Sequence, residues 1–178
     1  MSLQYGGLTG NPPTAVGWPT YLVEEWVGMA TVAQSQIMSM IAEGVFDRFR
    51  DLRAVVVEAG FSWLPAFLWR FDKNWKGLRR EVPWVRRAPS EYVREHFRFT
   101  VGPADLQPGE PAALQHVIDD MWGADLLLFG SGYPHDVVAR PRDAVPGHFS
   151  DPEVEQVMSG NARAFYRLDE PAGIGGRR

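Results

Sequence analysis

The residues best equipped for chemistry lie between Asp125 and Asp136, in the run Asp-Leu-Leu-Leu-Phe-Gly-Ser-Gly-Tyr-Pro-His-Asp. Its apolar part reads as a strand buried on both faces, the kind a parallel sheet makes. Gly130 and Gly132 break the run and deliver Tyr133, His135 and Asp136 just past the strand's C-terminal end. In parallel α/β folds that end is where ligands bind. An imidazole placed there can ligate a metal, act as an acid or base, or hold the loop by hydrogen bonding. A second run, Ala54 to Glu58, is β-branched at its centre and favours extended backbone. It ends on Glu58 and turns at Ala59-Gly60, so Glu58 is the second candidate ligand. The alternative for Glu58 is a carboxylate satisfied by loop N–H groups. His96 precedes a strand and His116 lies mid-helix, and both read as structural or solvent-facing.

Composition narrows the chemistry. The chain has 178 residues, 45% of them hydrophobic, which suits one domain with a substantial core. It has no cysteine, so disulfides and thiolate metal sites are excluded and any metal must be held by His, Asp and Glu. The net charge of −4 gives no general reason to expect nucleic acid. No stretch approaches the ~20 apolar residues of a membrane helix, and no signal peptide is visible. The expectation is a cytoplasmic, soluble protein that does not engage a membrane. Seven tryptophans, several beside Pro or Gly, suggest aromatic packing near loops or a contact surface.

The elements that must position these residues alternate. Residues 1–19 are rich in Gly and Pro and read as a long loop. Thr20 is expected to cap a helix continuing to about Phe49, with Glu24 and Glu25 at its positive dipole end. Leu22, Trp26, Met29, Ala33, Ile37, Met40 and Ile41 give that helix a wide apolar face, which predicts that it is mostly buried. The Ala54–Glu58 strand follows, then a helix from Trp63 to about Trp75, capped by Ser62 and with Pro65 in its first turn. Lys76, Arg79, Arg80, Arg86 and Arg87 form the one local basic cluster. It reads as a solvated surface or, alternatively, as a place for a carboxylate or phosphate, or a subunit contact. Ser90 caps a short helix through His96, and Phe97–Val101 is a strand. After a loop at 102–109 come a helix from Pro111 to Trp122 and the Asp125 strand. Ser150 and Glu153 have capping-box spacing and open a final helical pair reaching Leu168. Residues 169–178 form a Gly-rich tail. The alternation predicts parallel strands covered by helices. Three good strands leave two bare edges, which invite self-association or completion by further strands.

Glu58-Ala-Gly-Phe-Ser-Trp-Leu-Pro65, Trp69-Arg-Phe-Asp-Lys73, Leu127 to His135, and Ser159-Gly-Asn-Ala-Arg163 with Tyr166 resemble the amidohydrolase-2 family, as does Gly44 to Arg53 before them. The resemblance covers about Thr20 to Leu168. It implies an α/β chain forming part of a TIM (β/α)8 barrel, about strands six to eight with their helices. It also implies a divalent metal, zinc or manganese, at the C-terminal strand ends, and hydrolysis or decarboxylation of a small carboxylated or carbonyl substrate. The family's His-x-His motif on the first strand has no counterpart here. Its Ser-Asp-Tyr-Pro-His motif reads Ser131-Gly132-Tyr133-Pro134-His135, so the metal-binding carboxylate is replaced by Gly132.

On this resemblance Glu58 and His135 are the expected metal ligands and His135 and Asp136 the catalytic groups. Asp136 is a candidate substitute for the missing aspartate. Tyr133, Trp63 and Arg79 are the expected substrate contacts. The site is incomplete in this chain. Either another half-barrel supplies the rest, or the chain is a degenerate, non-catalytic subunit for binding or assembly, or it is a piece of a longer barrel. Homo-oligomerisation is the other way to cover the bare edges.

Overall fold

A computed structural model describes residues 1–3, 12, 16–102, 111–133, 140–145 and 149–168. His135, Asp136 and the 169–178 tail lie outside these residues. The order is β1 (Ser2–Leu3), α1 (Leu22–Ala42), α2 (Val45–Arg48), β2 (Ala54–Val56), α3 (Leu64–Leu78), α4 (Pro89–His96), β3 (Phe97–Val101), α5 (Pro111–Asp120), β4 (Leu127–Phe129), α6 (Asp151–Glu155) and α7 (Asn161–Tyr166). A 3-10 turn at Gly123–Leu126 precedes β4, and a π-helical stretch, Gln156–Gly160, joins α6 to α7.

The sheet is parallel throughout, in the order β1-β2-β3-β4. It has one strand more than expected. Residues 1–19 do not all form a loop, because Ser2 and Leu3 pair with Val55 and Val56. The Val55 amide donates to Met1 O and the Val57 amide to Leu3 O, both at 2.9 Å. Two residues are too few to show a period, which is why the strand left no pattern.

Alternation along the strands sorts the side chains. Ala54, Val56, Phe97, Phe99, Val101 and Leu127 join the main core with Ile37, Ile41, Phe46, Leu64, Leu68, Val93 and Ile118 of the covering helices. Val55 and Leu128 face the other way, against Phe165. Arg53 and Arg98 lie over the Phe165 ring at 5.3 and 4.6 Å. Burial, then repulsion from Arg53, lowers the Arg98 pKa, with Asp125 opposing.

The first helix departs from expectation twice. It stops at Ala42, because Gly44 takes a left-handed φ of 70°. A Cβ on Gly44 would lie 2.6 Å from the Trp84 ring, whose indole N–H donates to Ala42 O at 2.6 Å. Only its C-terminal half is covered: Ala33, Ile37, Met40 and Ile41 are buried, whereas Leu22, Val23, Trp26 and Val27 are exposed. Twenty-one residues span about 31 Å, while the longest strand has five residues and spans about 17 Å. The helix therefore overshoots the upper edge of the sheet.

Two helix starts are also shifted. The boundary residue of α1 is Tyr21, not Thr20, and the Glu24 carboxylate accepts from the backbone N–H of both, at 3.1 and 2.7 Å. Helix α3 begins one residue beyond the expected span, with Trp63 rather than Ser62 at its boundary. Ser90 lies inside α4 instead of capping it. Its N–H and hydroxyl both donate to the Asp72 carboxylate, at 2.9 and 2.6 Å, and so tie α4 to α3. Ser150 and Glu153 form the expected capping box.

Asn161 fastens the last helix to the sheet. Its buried amide donates to Ala124 O and Leu127 O, both at 2.8 Å. Those carbonyls flank the entry to β4, and Ala124 O also accepts from the Leu127 backbone N–H. Asn161→Ala removes two buried hydrogen bonds, so a loss of about 1–3 kcal/mol is expected. The urea midpoint measures it, and a loss within about 0.5 kcal/mol of zero would show the bonds to be dispensable.

Candidate active site

The upper ends of β2, β3 and β4 meet at Thr100. This residue lies on β3, is 9% exposed, and is paired in register with Leu128. Its Oγ1 accepts a hydrogen bond of 2.9 Å from the Glu58 backbone N–H. On its other side Gly130 comes so close that an added Cβ would lie 3.0 Å from Thr100 Cβ and 3.2 Å from Cγ2. Thr100 was not singled out in the sequence, since one threonine inside a strand carries no signal of a role. Its two partners lie 42 and 30 residues away.

Glu58 sits where the sequence placed it, two residues beyond β2. Its φ of 58° is one of three positive values at non-glycine residues in the described structure. Such a backbone costs a β-carbon-bearing residue roughly 1–2 kcal/mol, and strain of this kind collects at functional sites. Gly60, with φ 68°, completes the turn. Glu58 is half-buried and lines a cleft of about 660 Å³ between the overshooting end of α1 and the β2–α3 turn. Leu22, Trp26 and Val27 form one wall, with Ala59 and Trp63 opposite. Trp63 is fixed by its indole N–H donating to Ala59 O at 2.9 Å and by edge contacts with Phe67 and Phe99. The cleft is open and largely apolar, with Glu58 a charged member of its lining, and is of a size that takes a small organic molecule.

The structure brings some of the expected residues together and separates others. Glu58 and Trp63 share the cleft. Tyr133 lies beyond the end of β4 at the same edge of the sheet, is 80% exposed, and donates its backbone N–H to Ser131 Oγ at 3.3 Å. Arg79 does not belong with them. Helix α3 starts at the cleft and runs down its 15 residues before reaching Arg79, which places that residue about 24 Å along the axis from Trp63. The basic cluster around it is a solvated surface. Lys76, Arg79, Arg80, Arg86 and Arg87 are all exposed. Arg87 pairs with Glu95 at 2.6 Å and lies over the Tyr92 ring. That hydrogen bond raises the Arg87 pKa and lowers that of Glu95.

Neither remaining described histidine approaches the cleft. His96 is buried, with Nδ1 2.9 Å from Leu52 O and its ring stacked on Phe46 at 4.5 Å. His116 is exposed on α5. Among the described residues no three His, Asp or Glu side chains cluster as a metal cage. Also among them, no helix is long and apolar enough to cross a membrane.

The left-handed turn at Glu58 has a measurable signature. Glu58→Ala and Glu58→Gly both remove the carboxylate, but only glycine relieves the backbone. The glycine variant is expected to be more stable than the alanine variant by about 1 kcal/mol, read from urea denaturation. Equal midpoints would contradict the left-handed conformation.

Comparison with known proteins gives this geometry a family. The amidohydrolase family model, of the amidohydrolase-2 type, matches residues 4–168. Comparison with curated proteins finds no match. Among solved structures, a 5-carboxyvanillate decarboxylase from Sphingomonas paucimobilis is 25% identical with a TM-score of 0.58, over 80% of this chain and 40% of that one. A dihydroxybenzoic acid decarboxylase from Polaromonas sp. JS666, with bound manganese and the inhibitor 2-nitroresorcinol, is 19% identical with a TM-score of 0.60, over 83% and 43%. A 2,6-dihydroxybenzoate decarboxylase from Rhizobium is 23% identical with a TM-score of 0.61, over 79% and 42%. The chain spans about two-fifths of the length of each of these structures. It belongs to the amidohydrolase family and has the fold of a partial barrel of that type.

Proposed function

We propose that this chain forms one side of the active site of a metal-dependent hydrolase or decarboxylase. The substrate class is a small carboxylated or carbonyl compound. The observation that carries the reading is Glu58, held past the end of a parallel strand in the lining of a 660 Å³, largely apolar cleft, in a chain of the amidohydrolase family. The bound manganese of the Polaromonas enzyme supports a metal by analogy.

Glu58 and His135 would hold the ion, since a carboxylate and an imidazole suit zinc or manganese. Two ligands do not make a tight cage, so the remainder would come from strands outside this chain, supplied by a complementary half-barrel or a second copy. β1 and β4 are the edges open to such strands, each pairing on one side among the described residues. A bound divalent ion supplies Lewis acidity for attack of water on a carbonyl carbon, or orients a carboxylate for loss of carbon dioxide. His135 and Asp136 are the groups available to move the proton. Trp63 and the α1 wall would exclude water and pack against the substrate's flat face, and Tyr133 would close over it. Arg79 has no part in this reading.

A second reading rests on Gly132. Where the family motif has a metal-binding aspartate, this chain has glycine in a left-handed conformation with φ 65°. That loss favours a non-catalytic subunit that keeps the scaffold for binding or assembly.

Two measurements separate the readings. Manganese or zinc is titrated into the chain alone and into its mixture with an N-terminal half-barrel bearing His-x-His. Stoichiometric metal in the mixture, abolished by Glu58→Ala, is expected, and no metal in either sample would favour the non-catalytic reading. Gly132→Asp restores a carboxylate at a backbone position that aspartate tolerates better than most residues. It is expected to tighten manganese binding at least about tenfold, as an added charged ligand worth about 1.4 kcal/mol would. Unchanged affinity would place the metal away from the β4 loop.

A further inference from the structure

We infer that Thr100 is a positioning residue for Glu58, its hydroxyl oxygen holding the left-handed turn that sets Glu58 in the lining of the cleft. The role matters for chemistry only if Glu58 is a ligand, as proposed above, but the turn itself is tested without metal.

Three observations carry it. The Glu58 amide is partly buried and donates to Thr100 Oγ1 at 2.9 Å, across the gap between two adjacent strands. The Glu58 backbone is in a region that a residue with a β-carbon occupies only when its surroundings enforce it. Thr100 is itself pinned, because the β4 chain at Gly130 lies against its Cβ and Cγ2. A side chain held on one side by β4 and bonded on the other to the β2 turn couples the two loops. Movement of the β4 loop would reach Glu58 through one residue that need not touch either metal or substrate.

Thr100→Val and Thr100→Ser take the two halves of this role apart. Valine keeps the shape and loses the acceptor, while serine keeps the acceptor and loses the methyl group facing Gly130. Amide hydrogen exchange on the full chain, without metal, reads the Glu58 N–H directly. Relative to ladder amides such as Val55, exchange at Glu58 is expected to rise about tenfold in Thr100→Val and to stay near wild type in Thr100→Ser. Unchanged exchange at Glu58 in the valine variant would overturn the inference. Should that variant fail to fold, Thr100→Ala also lacks the acceptor and gives the same comparison.

Manganese titration with the complementary half-barrel supplies the second readout. Affinity about tenfold weaker in Thr100→Val and recovered in Thr100→Ser is expected. Equal affinity in wild type and Thr100→Val would overturn the positioning role. Absence of metal in wild type would instead overturn the ligand reading of Glu58, and the exchange result alone would then decide whether Thr100 holds the turn.

Discussion

The parallel ladder that sets Val56 beside Phe99 and Phe99 beside Leu127 decides what can meet at the upper edge of this sheet. With that register, Thr100 comes level with the end of β2 on one side and with Gly130 on the other. A slip of one residue would turn Phe97, Phe99 and Val101 out of the main core and carry Thr100 into it. The apolar face therefore enforces the register, and the register brings Glu58, Thr100 and the β4 loop together. The site is a consequence of core packing several residues below it.

Much of what connects the helices serves this arrangement without taking part in chemistry. Asp72 binds Ser90 and ties α3 to α4, Tyr92 donates to Asp47 at 2.7 Å and ties α4 to α2, and Asn161 binds the entry to β4. Burial, followed by the Asp47 contact, raises the Tyr92 pKa, so the phenol remains a donor. Asp72 and Asn161 both fall within the stretches that carried the family resemblance. In those two stretches the similarity reports the scaffold, whereas the Glu58 and Gly132 stretches bear on the site.

Legibility followed the range of the interaction. Phe97–Val101 was readable because its aromatic and β-branched residues favour a strand between a short helix and a loop, and the Ser150–Glu153 capping box because both partners lie within one turn. The break at Gly44 was missed because its cause includes Trp84, forty residues on. The exposed half of α1 was misread because an apolar face predicts burial whether or not the covering element belongs to the chain. Glu58 could be found from the end of its strand, but its left-handed backbone and its bond to Thr100 could not, since neither leaves a periodic mark. Arg79 lies at the far end of α3 from the cleft, and a basic cluster carries no information about which end of its helix faces a site.

The edges of β1 and β4 that are open among the described residues, the exposed start of α1 and a length about two-fifths of the related barrels fit one account. In that account Glu58 contributes one carboxylate to a metal centre completed by strands outside this chain. Anomalous scattering at the manganese absorption edge tests it most directly, on crystals of the chain joined with a His-x-His-bearing half-barrel. The account predicts a peak within about 2.3 Å of a Glu58 carboxylate oxygen, the distance of a metal–carboxylate bond. A fully occupied manganese peak whose ligands do not include Glu58 would contradict it.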